Sequence, residues 1–281
     1  MEEKPYLIIR PKKGWQLIDF REIKEYRDLF YFLVTRDIKV RYKQTVLGGL
    51  WAIIQPFCMM IVFTLFFGRL AKVPSDGIPY PIFNYSAMVA WTYFANAITQ
   101  SGNSLIQNVA LISKVYFPRI VVPLAPVLAF LLDFAIAFII LIVMMVGYHV
   151  SGYYQINLTI MVLFLPLLVL LMMFTASGVG MFLAALNAKY RDIRYTITFL
   201  IQFWMFASPV VYPASMIPES YRLIYSLNPM TGVIEGFRSA LLGTVAFPVQ
   251  MLLVSTLVSI TIFVAGALYF KRTERFFADV I

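Results

Sequence analysis

Residues 123–150 read PLAPVLAFLLDFAIAFIILIVMMVGYHV, and Asp133 is the one Asp, Glu, Lys or Arg in that run. A bilayer's hydrocarbon core is about 30 Å thick and a helix rises about 1.5 Å per residue, so about 20 apolar residues suffice to cross it. This run exceeds that length. The composition says the same of the whole chain. Of its 281 residues, 61% are hydrophobic and 13% charged, against about 45–50% apolar and about 25% charged in a typical soluble domain. A soluble protein this apolar could not cover its own surface, so the fold class is an all-α polytopic membrane protein.

Five further charge-poor runs flank the first, at about 46–68, 82–102, 158–188, 195–211 and 249–270. The run at 82–102 is more polar than the rest, and the run at 195–211 closes on Pro209 and Pro213. Six spans put both termini on one side, and Lys and Arg in short flanking segments decide which side that is. With a cytoplasmic N-terminus, nineteen of the 23 Lys and Arg lie inside, leaving Arg69, Lys72, Arg222 and Arg238 outside. Both termini are therefore expected in the cytoplasm. The basic excess serves orientation and attraction to anionic membrane lipids rather than nucleic acid. Met1–Lys13 mixes charges and prolines and does not read as a signal peptide.

Much chemistry is missing. One cysteine, Cys58, and one histidine, His149, form neither a disulfide framework nor a metal site. There is no G-x-x-x-x-G-K-[ST] phosphate loop, no HExxH, no paired carboxylates and no Ser/His set. The expectation is a chain that is not an enzyme and holds no metal or cofactor of its own. Uphill movement of a substrate would need energy from another polypeptide.

The chain divides into a cytoplasmic segment, 1–45, and a membrane domain, 46–281. Within the first, Ile23, Tyr26, Phe30, Leu33 and Val34 recur at helical spacing over 22–45, which predicts an amphipathic interfacial helix. Its end carries Arg36, Lys39, Arg41 and Lys43, suited either to acidic lipid or to a diphosphate headgroup. Residues 103–122 form a short amphipathic piece that either rests on the bilayer or enters a groove of a soluble partner. Between 212 and 248, Pro213, Pro218, Pro229 and Pro248 leave two short helices, about 219–227 and 230–242. Crossing the bilayer there would bury Glu219, Arg222, Glu235 and Arg238, so these helices read as re-entrant or interfacial at the outer face. Ala176, Gly180, Ala184 and Ala188 make a small-residue face for close helix packing. Asp133 has no Lys, Arg or His partner within another span, and reads either as a structural polar group or as an intramembrane functional site. Trp91, Tyr93, Phe94, Phe203, Trp204 and Tyr212 read either as interfacial aromatics or as the wall of a channel on which sugar rings stack.

RDIKVRYKQTVLGGLWAIIQP (36–56), SKVYFPRIVVPLAPVLAFLLDF (113–134), LNAKYRDIRY (186–195), SPVVYP (208–213) and LNPMTGVIEGFRSALL (227–242) together resemble the permease subunits of type-2 ABC exporters of bacterial polysaccharides. The likeness extends over about residues 5–275 and is strongest to O-antigen exporters, with teichoic acid and capsule exporters more distant. It implies a homodimer in the inner membrane with a channel at the interface of the two copies. Two copies of a separate nucleotide-binding subunit would hold ATP and Mg²⁺, and the substrate would be a glycan linked to undecaprenyl diphosphate. Under that resemblance, Arg36, Lys39, Arg41 and Lys43 border the lipid-diphosphate entrance. Leu105, Val109, Ile112, Lys114, Phe117 and Arg119, in a coupling segment at 103–119, meet the ATPase. Glu219, Arg222, Glu235 and Arg238 belong to outer gate helices within 213–245. A drug- or lipid-exporting permease of the same superfamily is one rival reading, and a membrane glycosyltransferase or acyltransferase is another.

Overall fold

The apolar runs fold as helices because no other element, apart from a closed barrel, satisfies its own backbone polar groups in lipid. A computed structural model describes residues 24–43, 48–156, 159–190, 192–243 and 246–277; among these every regular element is helical. The predicted segment 1–23 and the end of the chain beyond 277 lie outside the described residues. The principal helices are α1 (Arg27–Lys43), α2 (Trp51–Phe63), α3 (Tyr80–Gln107), α4 (Val109–Lys114), α5 (Val121–Ala129), α6 (Leu131–Val150), α7 (Leu165–Lys189), α8 (Ile193–Phe206), α9 (Glu219–Tyr225), α10 (Pro229–Leu242) and α11 (Val249–Thr273).

Four stretches are long and apolar enough to cross a membrane: Trp51–Leu70, Val121–Val150, Ile160–Lys189 and Val249–Thr273. Two of the six runs read from sequence fall outside this group. α8 has 14 residues, about 21 Å at 1.5 Å each, short of the hydrocarbon thickness. α3 is long but polar, and its surroundings explain why. It forms the centre of the bundle, packed along α7, α5, α6, α10 and α2, and Asn84, Ser86, Ser101 and Ser104 are buried on it. A helix surrounded by protein need not be apolar enough for lipid.

α7 lies between α3 and α11, and glycine sets both distances. A Cβ on Gly266 of α11 would stand 2.1 Å from the Gly178 carbonyl oxygen, and one on Gly180 would stand 2.2 Å from Ser101 Oγ of α3. Within the small-residue face read from sequence, Gly180, Ala176 and Ala184 are buried as expected. The contact of Gly178 with Gly266 adds a second one, on a different side of α7. By contrast, α2 is irregular. Pro56 withholds a backbone donor within it, and Thr64–Leu70 continues it as a widened π turn.

The two short helices expected at 219–227 and 230–242 are α9 and α10. The interfacial reading fails for α10: every one of its residues is buried, so it lies inside the protein. Asn228 sets its start. The Asn228 carboxamide oxygen accepts from Met230 N at 3.1 Å and from Trp204 Nε1 at 2.9 Å, and its Nδ2 donates to the Ala207 carbonyl at 3.0 Å. One cap thus fastens the end of α8 to the beginning of α10.

Candidate functional site

α1 is placed by the face that its sequence pattern foretold. Leu33 is buried against Val121 and Ala125 of α5, with Leu29, Phe30, Val34 and Leu111 of α4 packed around it. Past that face, near its C-terminus, α1 delivers Arg41 to the body of the bundle. Arg41 Nη1 donates to Asp133 Oδ2, Tyr42 donates its hydroxyl to Asp133 Oδ1, and the Arg41 guanidinium lies 3.6 Å from the centroid of the Phe130 ring. The carboxylate that has no partner within another span is therefore neutralised from α1, 92 positions away in sequence.

This cluster lines a cavity of about 290 Å³ between α1, α2, α3 and the α5–α6 junction. Trp51, Tyr93, Phe130 and Phe134 give it aromatic walls, and Gln55, Thr92 and Asn96 add an amide or hydroxyl each. Among the described residues, none of those last three makes a hydrogen bond within the protein. Tyr93, although buried, reaches the lining, and its hydroxyl donates to the Val127 carbonyl at 3.1 Å.

The four basic residues read together from sequence separate into three environments. Arg36 turns away from the cavity. Its Nη2 binds Asp37 at 2.7 Å and its Nη1 donates to Asn108 Oδ1 at 2.7 Å, at the joint between α3 and α4. Arg41 is paired with Asp133. Lys39 and Lys43 are exposed. The fourfold phosphate cluster is thereby corrected to two exposed lysines beside a neutralised arginine, because helical geometry sends Arg36 and Arg41 to different neighbours.

The 103–119 segment is α4 and its flanks, and its orientation also corrects the sequence reading. Leu105, Ile112 and Phe117 are buried against Met181, Ala184, Ala185 and Phe270, so they hold the segment down and do not present a surface. Val109 is partly buried, and Lys114 is exposed. The outward apolar residues are Ile106, Val115 and Tyr116, the last 63% exposed, beside a shallow cup of about 210 Å³. Arg119 donates from Nη1 to the Glu274 carbonyl at 2.8 Å, and Lys271 pairs with the Glu274 carboxylate at 2.7 Å. The segment is thus fixed to the end of α11.

Residues 28–242 match the family described as ABC-2 type transporter. The chain belongs to that family. It is 29% identical over 264 residues to an O-antigen export system permease protein RfbA of Myxococcus xanthus, covering 93% of this chain and 98% of that protein. A protein of the same name from Klebsiella pneumoniae is 28% identical over 90% of this chain and 95% of its own length. A polysialic acid transport protein KpsM of Escherichia coli is 26% identical over 86% and 92% respectively. The chain is a multi-pass membrane permease.

At the opposite end of this ABC-2 permease the four charges expected in one gate also separate. Glu235 and Arg238 are 7% and 3% exposed and pair at 3.1 Å. Arg238 also donates to the carbonyls of Val210 at 2.7 Å and Phe83 at 3.3 Å and lies 3.6 Å from the Phe83 ring centroid. Glu235 accepts from Ala214 N at 3.1 Å. Burial pulls the Arg238 guanidinium below its ordinary pKa, and the Glu235 carboxylate opposes that pull. Glu219 and Arg222, 3.6 Å apart, are a looser surface pair. The aromatics divide as well. Trp91 and Phe94 are core residues, with Phe94 edge-on to Trp204 at 5.1 Å, because α3 is central. Tyr212 accepts a hydrogen bond from the Tyr225 hydroxyl at 3.0 Å. Phe203 continues an outward stripe of Tyr195 and Phe199 along α8.

Proposed function

We propose that this permease is the membrane subunit of an ATP-driven exporter that carries a lipid-diphosphate-linked polysaccharide of the O-antigen class across the inner membrane. Six spans place both termini in the cytoplasm, with α3 completing the set together with a crossing made of α8 and the non-helical residues 207–213 that follow it. The observation that carries this reading is the cavity at Arg41 and Asp133, where an interfacial helix with exposed Lys39 and Lys43 meets the first apolar span. The names of the relatives point to polysaccharide cargo. A lipid diphosphate would rest its charge on the two lysines while its chain stays in the bilayer.

ATP and Mg²⁺ belong to two copies of a separate nucleotide-binding subunit, and two copies of this chain form the channel. The outward stripe of Tyr195, Phe199 and Phe203 supports a wall facing the second copy. Ile106, Val115 and Tyr116 are the apolar contacts offered to the ATPase. Force or information passing between the two sites has a short route, because α1 holds Arg41 at the cavity and Arg36 on Asn108 at the root of α4. Purification of the tagged chain from its native membrane tests this reading. A stoichiometric ATPase whose rate rises with lipid-linked glycan is expected. A chain that hydrolyses ATP alone, or arrives without any ATPase, overturns it.

A further inference from the structure

The charge balance of the cavity distinguishes two parts of the substrate. Arg41 and Asp133 neutralise one another inside it, whereas Lys39 and Lys43 stand exposed on α1. A diphosphate carries about two to three negative charges at neutral pH, and an interior whose Arg41 is already paired with Asp133 offers little net positive charge to meet them. The interior suits a neutral, hydroxyl-rich group instead. Trp51, 55% exposed, provides an aromatic face, whose negative quadrupole favours the C–H side of a saturated ring. The carboxamides of Gln55 and Asn96 and the Thr92 hydroxyl are able both to donate and to accept, and they are unused within the described protein. The volume of about 290 Å³ is room enough for one six-membered sugar ring with its substituents.

We infer that this cavity is a subsite for the sugar joined directly to the lipid diphosphate, so that the permease reads the first residue of its cargo before export begins. The inference rests on the exporter reading above. The sugar's ring lies against Trp51, its hydroxyls meet Gln55, Thr92 and Asn96, and the diphosphate stays outside the cavity. An acidic-lipid headgroup would use the lysines and leave the amides idle. A hydrophobic drug would leave both idle.

The test uses the complete transporter in nanodiscs and two probes: polyprenyl diphosphate alone, and the same lipid bearing one N-acetylglucosamine. The readout is the lipid concentration giving half-maximal ATPase stimulation. In the wild type the sugar-bearing lipid is expected to act at a lower concentration. Asn96→Leu and Gln55→Leu should each raise that concentration about fivefold, the loss of one hydrogen bond of about 1 kcal/mol, with a smaller shift for the bare lipid. Thr92→Val keeps the shape of the side chain and guards against misfolding as the cause. If the wild type answers both lipids equally, or the variants shift both equally, the sugar subsite is overturned while the exporter reading stands. If neither lipid stimulates the wild type, the exporter reading itself fails and the subsite falls with it.

Discussion

Replacing Arg238 by Met should destabilise the permease more than any other single change at the end of the bundle that carries α9. Arg238 makes an ion pair with Glu235 at 3.1 Å and hydrogen bonds to three carbonyls, of Val210, Phe83 and Tyr212, at 2.7, 3.3 and 3.4 Å, from a position that is 3% exposed. Removing one member of a buried pair costs about 3–5 kcal/mol, because the remaining charge has no compensation. At roughly 2–4 °C per kcal/mol for a chain near this size, the melting temperature in detergent should fall by roughly 10 °C. Glu235→Gln should cost less. It leaves Arg238 with its backbone carbonyls, and the amide oxygen can still accept from Ala214 N. Combining Arg238→Met with Glu235→Leu removes the isolated charge and should regain part of the loss, giving a coupling energy of about 1–3 kcal/mol in the double-mutant cycle. A fluorescence melt of the four proteins decides the matter. An Arg238→Met melting temperature within 1–2 °C of wild type, or additive losses in the cycle, would refute the strut.

Three other outcomes are expected. Gly266→Val should lower the melting temperature by an amount corresponding to about 1–3 kcal/mol of overpacking, since the Gly178 carbonyl occupies the place of its Cβ, whereas Gly147→Ala, which meets nothing within 4 Å, should leave it unchanged or raise it slightly. Arg36→Gln and Asn108→Ala, which break the 2.7 Å link between α1 and the root of α4, should each reduce the ratio of lipid-stimulated to unstimulated ATPase rate at least twofold; an unaltered ratio removes that link from the coupling route. In a Cys58→Ala background, cysteine at Ser220 should react with an impermeant maleimide from the outer side and cysteine at Ser113 only after permeabilisation, and the opposite pattern would invert the topology.

The helical class was legible because apolar run length is a direct reading of what lipid demands. Element positions followed closely where proline and asparagine punctuate the chain, as at Pro218 before α9 and Asn228 before α10. What sequence could not supply was direction. The periodicity through Leu105, Ile112 and Phe117 marked an apolar face, yet a face that packs onto Met181 and Phe270 has the same pattern as one that awaits a partner. Trp91 and Phe94 posed the same problem on α3. The pairing of Arg41 with Asp133 joins an interfacial helix to a distant span, and no local rule signals it. A hint did exist in the charge itself: a carboxylate placed within an apolar run demands a cation or a hydrogen-bond donor, and α1 ends with several cations at the membrane boundary.

The contact of Gly178 with Gly266, and of Gly180 with Ser101, has a mechanical consequence. Gly178 rests backbone on backbone against Gly266, and Gly180 receives the short Ser101 side chain, so little cushion separates α3, α7 and α11, which are expected to move as one stator. Displacement during a transport cycle then falls to the elements built with slack. α2 has a proline gap at Pro56 and a loosened turn at 64–70, while α8 is joined to α10 chiefly through the hydrogen bonds of Asn228. Under the proposed exporter function, α2 and α8 are expected to yield while the central three helices provide the bearing against which they move.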